Sequence, residues 1–576
     1  MSKLVICEKP SVAKSIASAL GVTFRADGYF EGGGWLISWC IGHLVGLADA
    51  VAYDDRYKKW RYEDLPILPA PFHYVVSEEK ADQFHILRSL MERPDVTELV
   101  NACDAGREGE LIFRLVYEAA GCSKPFSRLW ISSMEDAAIR EGFADLHPGA
   151  DYDPLYQSAL CRQKADWLIG INASRLFSVL YHRTLNIGRV QTPTLAMLAD
   201  RDSKIVLFRK EKYHHVRLAL EGAEAVSDRI VSPEDAQAIR DACDGQRAVC
   251  VSLVREKKTE KPPKLYDLTT LQREANRVFG YTAKQTLDYA QSLYEKKLLT
   301  YPRTDSRYLT GDMAETASVV LHLAARVTPF DACPEFFPDV LALVNDKEVS
   351  DHHAILPTLE LEKANVPGLP VGERNILLLV CCKLLCAAAE PFVYEAVTAA
   401  FDCGGYTFTA KGKQVLSQGW RAIQEVFRSS LKEKPEDEDA EGVLPALTEG
   451  QVFEPVSASV TEHFTSPPKP YTEDTLLSAN AGKEDMPDEA ERKGLGTPAT
   501  RAAIIEKLVS GGFVERKGKN LIPTKAGVNL VTVLPELLTS PKLTADWEQR
   551  LNEVAKGQAS PEDFMDGIEA MAAELV

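Results

Sequence analysis

The 576-residue chain lacks several features that would each fix its class at once. Its 12 cysteines include no Cys-x-x-Cys pair, so no zinc ribbon is encoded. Scattered in this way they suit apolar packing in a reducing cytoplasm, and Cys382 and Cys386 would share one helix face. No apolar run is long enough to cross a bilayer. The stretch "ILLLVCCKLLCAAA" (376–389) is short and carries Lys383, which reads as a buried core helix, and no membrane partner is expected. A strand pattern starts already at Lys3, leaving no room for a secretory leader, so a soluble, cytoplasmic protein is expected. There is no internal repeat, and no Gly-x-x-x-x-Gly-Lys-Ser/Thr loop of the kind that cradles nucleotide phosphates.

A surplus of positive charge is also missing. The formal net charge of −18 argues against a polyanionic partner until its distribution is read. Six acids fall within "KEKPEDEDAEG" (432–442), the pattern of a solvated linker, and "KEDMPDEAERK" (483–493) is similar. Elsewhere basic residues cluster with aromatics, as in "YEKKLLTYPRTDSRYL" (294–309), which suits nucleic acid locally.

At this length several cores are expected. Residues 1–150 read as α/β. "KLVIC" lacks polar alternation, as a strand buried on both faces should, and Pro10 opens a helix that Gly21 closes. "ELVNAC" and the helix after it repeat the unit. Ligands of open parallel sheets bind at the carboxyl ends of strands, and Glu8 and Asp104 each follow such an end. Residues 151–208 and 476–576 read as helical. Residues 209–264 and 391–475 read as β-rich segments of one body, with strand-like patterning across 213–255, and 265–390 as a further helical body. The overall class is multidomain α/β plus α and β.

Individually the motifs stay open. Glu8 and Lys9 in "ICEKPSVAK" suit a metal site or a helix cap, and the acids of "DAGREGE" (104–110) suit a metal or a helix N-terminus. Together, on two strand ends, they favour a divalent ion such as Mg²⁺, which takes a few carboxylates plus waters. In "YPRTDSRY", Pro302 holds Tyr301 extended, and Arg303 follows within reach of an anion; a nucleophilic phenol and a surface aromatic are both possible. "DHHAILPT" offers His352 and His353. "GRVQTPTL" sets Arg189, Gln191 and Thr192 at a helix start able to meet phosphate or to cap itself. "GLGTPATRAAII", with Thr497 as N-cap and Pro498 at N1, begins a helix followed by a basic hairpin around Gly518. That is a winged-helix-like arrangement, with Arg501 available to a nucleic-acid backbone.

Taken in order, "EKPS", "DAGREGE", "ADWLIGIN", "GRVQTPTL", "YPRTDSRYL", "HHAILPT", "YTEDTLLSAN" and "GLGTPATRAAII" resemble the type IA DNA topoisomerases, and among them the bacterial topoisomerase III branch. The resemblance runs from Lys3 to about Phe564. It implies a Toprim domain over 1–150 and a toroidal core around a hole for DNA. The β-rich body becomes an arch, and 265–390 carries the catalytic tyrosine. It implies ATP-independent cleavage of a single strand through a 5′-phosphotyrosyl link, strand passage and religation. Tyr301 matches the nucleophile, Arg303 the arginine at the scissile phosphate, and Glu8 and Lys9 the residues of acid–base chemistry and cleavage. Glu8, Asp104 and Glu108 match metal-site acids for Mg²⁺. Trp60, Arg162, Asp166, Arg175, Arg189, Gln191, Thr192, His352 and Arg501 fall where the family borders DNA. Single-stranded or underwound DNA is the implied partner, a helicase a compatible one, and a monomer in the bacterial cytoplasm, associated with the nucleoid, is expected.

The sequence departs from the pattern in three places. Gly106 replaces the second aspartate of Asp-x-Asp-x-Glu, which predicts one well-held Mg²⁺ anchored on Asp104. On the resemblance, no carboxyl-terminal basic or zinc extension of the kind many relatives carry is expected, and residues 221–250 look short for a decatenation loop. An RNA-directed relative and a non-catalytic nucleic-acid scaffold are the alternative readings.

Overall fold

Leu4, Val5, Ile6 and Cys7 are all fully buried, and their side chains divide between two faces. Leu4 and Ile6 join one apolar cluster, while Val5 and Cys7 join another that contains Val12 and Ile16 of helix Pro10–Ala19. The strand they form, Ser2–Cys7, lies between Trp35–Trp39 and Val96–Ala102, parallel to both. Cys7 is level with Trp39 on one side and Ala102 on the other, so Glu8 and Asp104 leave neighbouring strands at the same end. The seven-stranded sheet continues through Phe126–Arg128, and antiparallel strands close both edges.

This computed structural model describes residues 1–334, 337–349, 352–431, 444–480, 496 and 498–576. The acidic stretches 432–442 and 483–493 and the cap residue Thr497 lie outside the described residues.

A second seven-stranded sheet draws on both segments expected to be β-rich. Lys212–Leu220, Ala223–Val226 and Ala248–Glu260 mix with Phe392–Cys403, Tyr406–Ser417, Val452–Phe453 and Ser457–Phe464. Ala248–Glu260 and Phe392–Cys403 pair antiparallel from Ala248↔Cys403 to Glu260↔Phe392. The strand-like reading across 213–255 is interrupted by helix Pro233–Cys243. There Ser232 accepts from Asp235 N, Pro233 occupies the first turn and Glu234 and Asp235 face the positive helix end.

Between the paired strands lies a helical body built on Leu268–Phe279, Ala283–Glu295, Ala314–Ala325 and Val371–Ala387. Helix Trp420–Ser430, expected with the β-rich body, packs here instead, because Ile423 and Phe427 bury against its core. The last body centres on Asp153–Leu180, which packs against Pro541–Ala555 and Pro561–Leu575. Helix Pro498–Ser510 and the hairpin Val514–Lys517/Asn520–Pro523 complete it, with Gly518 at φ +61° in the turn. Among the described residues no helix is long and apolar enough to cross a membrane.

Candidate active site

The two strand ends open into a cavity of about 450 Å³ lined by Glu8, Asp104, Glu108, Arg162, Tyr301 and Arg303, among others. The DAGRE loop at its floor is shaped by Arg128, which is fully buried. Its guanidinium donates to the carbonyls of Asn101, Cys103, Asp104 and Leu129 at 2.7–3.0 Å. Glu110 balances that charge, pairing with Arg128 at 2.7 Å and Arg114 at 3.3 Å. The third acid of "DAGREGE" is thus a core counter-ion. Gly106 sits at φ +152°, ψ 174°, a region open essentially only to glycine, so that helix Arg107–Ala119 starts at once after the strand.

Tyr301 is 6% exposed and belongs to the apolar cluster of the first body, although it comes from the third. Its amide donates to Ser132 O at 2.9 Å, and its ring lies 4.5 Å from that of His352 and 5.5 Å from that of Tyr294. The phenol oxygen is 3.4 Å from Asp104 Oδ2, and Arg303 Nη1 reaches the same oxygen at 3.1 Å. Burial pushes the phenol well above its ordinary range and Asp104 adds to the rise, while Arg303 opposes it. His352 joins the bodies: one ring nitrogen lies 2.8 Å from Ser132 Oγ and the other 2.7 Å from Ala105 O.

Glu8 and Asp104 are both buried. Loss of solvation, reinforced by the charge of Asp104, raises Glu8 to about 7. Two buried carboxylates that repel one another are a hard-oxygen donor set suited to a divalent cation that keeps several waters. Glu108 differs. Removal from solvent would raise it, but a hydrogen bond from His43 at 2.6 Å and the charge of Arg162, at 2.5 Å, bring it down to about 2. Among the described residues no three His, Cys, Asp or Glu side chains converge as a ready-made metal cluster. Glu8 and Asp104 fit a metal as a pair, with Glu108 held aside. Lys9 is not among the residues that line the cavity; its ammonium lies 3.8 Å from Glu295.

Residues 3–134 match the family model of the Toprim domain, and residues 150–566 match that of DNA topoisomerase. The chain is 40% identical over 602 residues to DNA topoisomerase 3 of Bacillus licheniformis, covering 100% of this chain and 81% of the relative. It is 39% identical to DNA topoisomerase 3 of Bacillus subtilis, with 100% and 82% covered. The chain belongs to the type IA DNA topoisomerases. In fold it resembles full-length topoisomerase I from Thermotoga maritima, with a TM-score of 0.76 at 22% identity, covering 99% of this chain and 90% of that one.

Of the remaining residues that the sequence pointed to in this topoisomerase, Asp166 and Arg189 form ion pairs and the others make hydrogen bonds or ring contacts. Asp166 takes Arg189 at 2.8 Å, and Arg189, 3% exposed at its side chain, also meets Glu548 at 3.1 Å. Thr192 is buried and accepts from Gly188 N at 3.2 Å, while Gln191 begins helix Gln191–Val206. Arg175 is buried beneath Trp60, its guanidinium 5.4 Å from that exposed ring, and donates to Tyr57 O at 2.9 Å. Arg501 is buried too, donating to Thr269 at 3.1 Å rather than lying on an open surface, and desolvation lowers it to about 10. His43, Arg128 and Glu548 were not legible in the sequence: each is a single residue in an unremarkable context, joined to the site only by the fold.

Proposed function

We propose that this topoisomerase cuts single-stranded or underwound DNA through Tyr301, using Mg²⁺, and reseals it without ATP. The observation that carries the reading is the meeting of the Tyr301 phenol, Arg303 and Asp104 within 3.4 Å beside Glu8, at a joint between two bodies. Tyr301 Oη attacks the phosphorus, the Oη–P bond forms and the P–O3′ bond breaks. Asp104 Oδ2 stands within hydrogen-bond range of the phenol proton. Glu8, held near 7, exchanges a proton near neutral pH and so suits protonation of the departing O3′. Arg303 and Lys9 balance the charge that gathers on the phosphate. Mg²⁺ on Glu8 and Asp104, when bound, supplies electrostatic positioning of the phosphate and of the 3′ end. The tyrosyl phosphodiester keeps the energy of the bond it replaced, so resealing is the reverse transfer.

Tyr301→Phe keeps the ring packing and removes the nucleophile. Binding of a single-stranded oligonucleotide is expected to persist while the covalent adduct, read by denaturing gel, disappears. An adduct in that variant would overturn the assignment. Relaxation of a negatively supercoiled plasmid is expected to stop on chelation and to return with Mg²⁺.

A further inference from the structure

Trp130 stands two residues past strand Phe126–Arg128 of the first body, and no expectation for the site included it. Its half-buried indole lies nearly parallel to two other rings. The phenol ring of Tyr152 is 5.1 Å away at 18°, and the imidazole of His352 is 6.1 Å away at 9°. The guanidinium of Arg128, which shapes the DAGRE loop, lies 5.1 Å from the indole centre. His352 in turn brings its imidazole within 4.5 Å of the Tyr301 ring. A row of rings thus runs from Tyr152 through Trp130 and His352 to the phenol that meets Asp104. Trp130 belongs to the first body, whereas His352 and Tyr301 come from the tyrosine-bearing one.

The plane of the imidazole matters because both its nitrogens are committed to the first body. Ala105 O can only accept, so Nε2–H donates to it at 2.7 Å, and Nδ1 is left to take the hydroxyl of Ser132 at 2.8 Å. Ala105 follows Asp104, whose Oδ2 is 3.4 Å from the phenol oxygen, and Ser132 O holds the Tyr301 amide at 2.9 Å. A turn of the imidazole would break these bonds and slide the phenol against the carboxylate. We propose that Trp130 is a positioning residue: lying parallel to His352, it fixes the imidazole in the orientation that sets Tyr301 Oη against Asp104 and the scissile phosphate. An aliphatic side chain of similar bulk fills the space without imposing a plane. Cleavage and resealing pass through one transition state, so a residue that only sets its geometry acts on both by the same factor. The proposal rests on the reading of Tyr301 as the nucleophile.

The test is single-turnover cleavage and resealing of a single-stranded oligonucleotide in Mg²⁺, with its affinity measured in parallel, for the full chain and for Trp130→Leu and Trp130→Phe. Trp130→Leu is expected to slow both directions about tenfold, the scale of a sub-ångström misplacement of reacting groups. Affinity, melting temperature and the adduct fraction at equilibrium are expected to stay at the parent values. Trp130→Phe, which restores a flat ring, is expected to recover most of both rates. Parent rates in Trp130→Leu would overturn the proposal, as would slowing in one direction only or a phenylalanine variant as slow as the leucine one. Weaker binding or a lowered melting temperature, with the rates of the bound complex retained, would mark a merely structural ring and overturn it too. Should Trp130→Leu fail to fold, Tyr152→Leu decides, because it removes the other ring parallel to the indole. That variant is expected to slow both directions about threefold at unchanged affinity, and parent rates there overturn the proposal. An adduct formed by Tyr301→Phe would sink the nucleophile reading and this proposal with it, whereas parent rates in Trp130→Leu sink this proposal alone.

Discussion

At Gly106 an added Cβ would meet nothing within 4 Å, so space is not what selects glycine there. The backbone is: φ +152° with ψ 174° is costly for any L side chain, of order 1–3 kcal/mol. Restoring the absent aspartate is therefore not a neutral addition of charge. Gly106→Ala and Gly106→Asp are both expected to lower stability by about 1–3 kcal/mol in chemical denaturation, and only the aspartate to alter Mg²⁺ affinity. Equal stability of both variants and the parent would show that the loop relaxes freely. Sequence reading located the missing carboxylate and missed the backbone reason for the glycine, because a dihedral angle leaves no mark in residue order. It likewise grouped Glu110 with the reactive acids; Arg128, distant in the chain, makes it a core ion.

Among elements, the parallel pair Ser2–Cys7 and Val96–Ala102 was legible, since strands buried on both faces carry unbroken apolar runs. Helix Pro233–Cys243 was missed although its cap, proline and acids were all present, because neighbouring strand-like segments dominated the reading. The thread that begins at His352 and His353 continues through Ile355, which bridges to Tyr266, and Pro357, which bridges to Leu299. Both histidines are buried, and desolvation lowers both below the ordinary histidine value. The folded chain then binds fewer protons than the unfolded one in the window below about 6.5. Their contribution to stability is complete above that value and is lost as pH falls toward the depressed values. Thermal unfolding is expected to move to lower temperature between pH 7.5 and 5.5, and His353→Gln to flatten that part of the slope; an unchanged slope in that variant would contradict the assignment.

For the whole molecule, the joint that buries Tyr301 combines ring packing with a small set of polar contacts. Lys297 meets Asp136 at 2.5 Å and Glu135 accepts from Leu359 N at 3.0 Å, alongside the two bonds of His352. A partly exposed ion pair of this kind contributes about 0–1 kcal/mol. Lys297→Ala is expected to raise hydrogen exchange at the Tyr301 amide by up to about fivefold, with exchange in the sheet of Ser2–Cys7 unchanged. Uniform acceleration everywhere would mean general loosening rather than opening of the joint. The two-segment origin of the second sheet has a mechanical consequence. Glu260 and Phe392 face one another, and Val393 pairs with Ser417, the end of the strand that leads back to helix Trp420–Ser430, so the passages of the chain into the tyrosine-bearing body at residues 260, 392 and 417 lie side by side in one sheet. That body hangs on a leaf spring twelve register pairs long, able to flex without unthreading any covalent link. A severed DNA end attached to Tyr301 would travel with it as cargo on that set of adjoining strands.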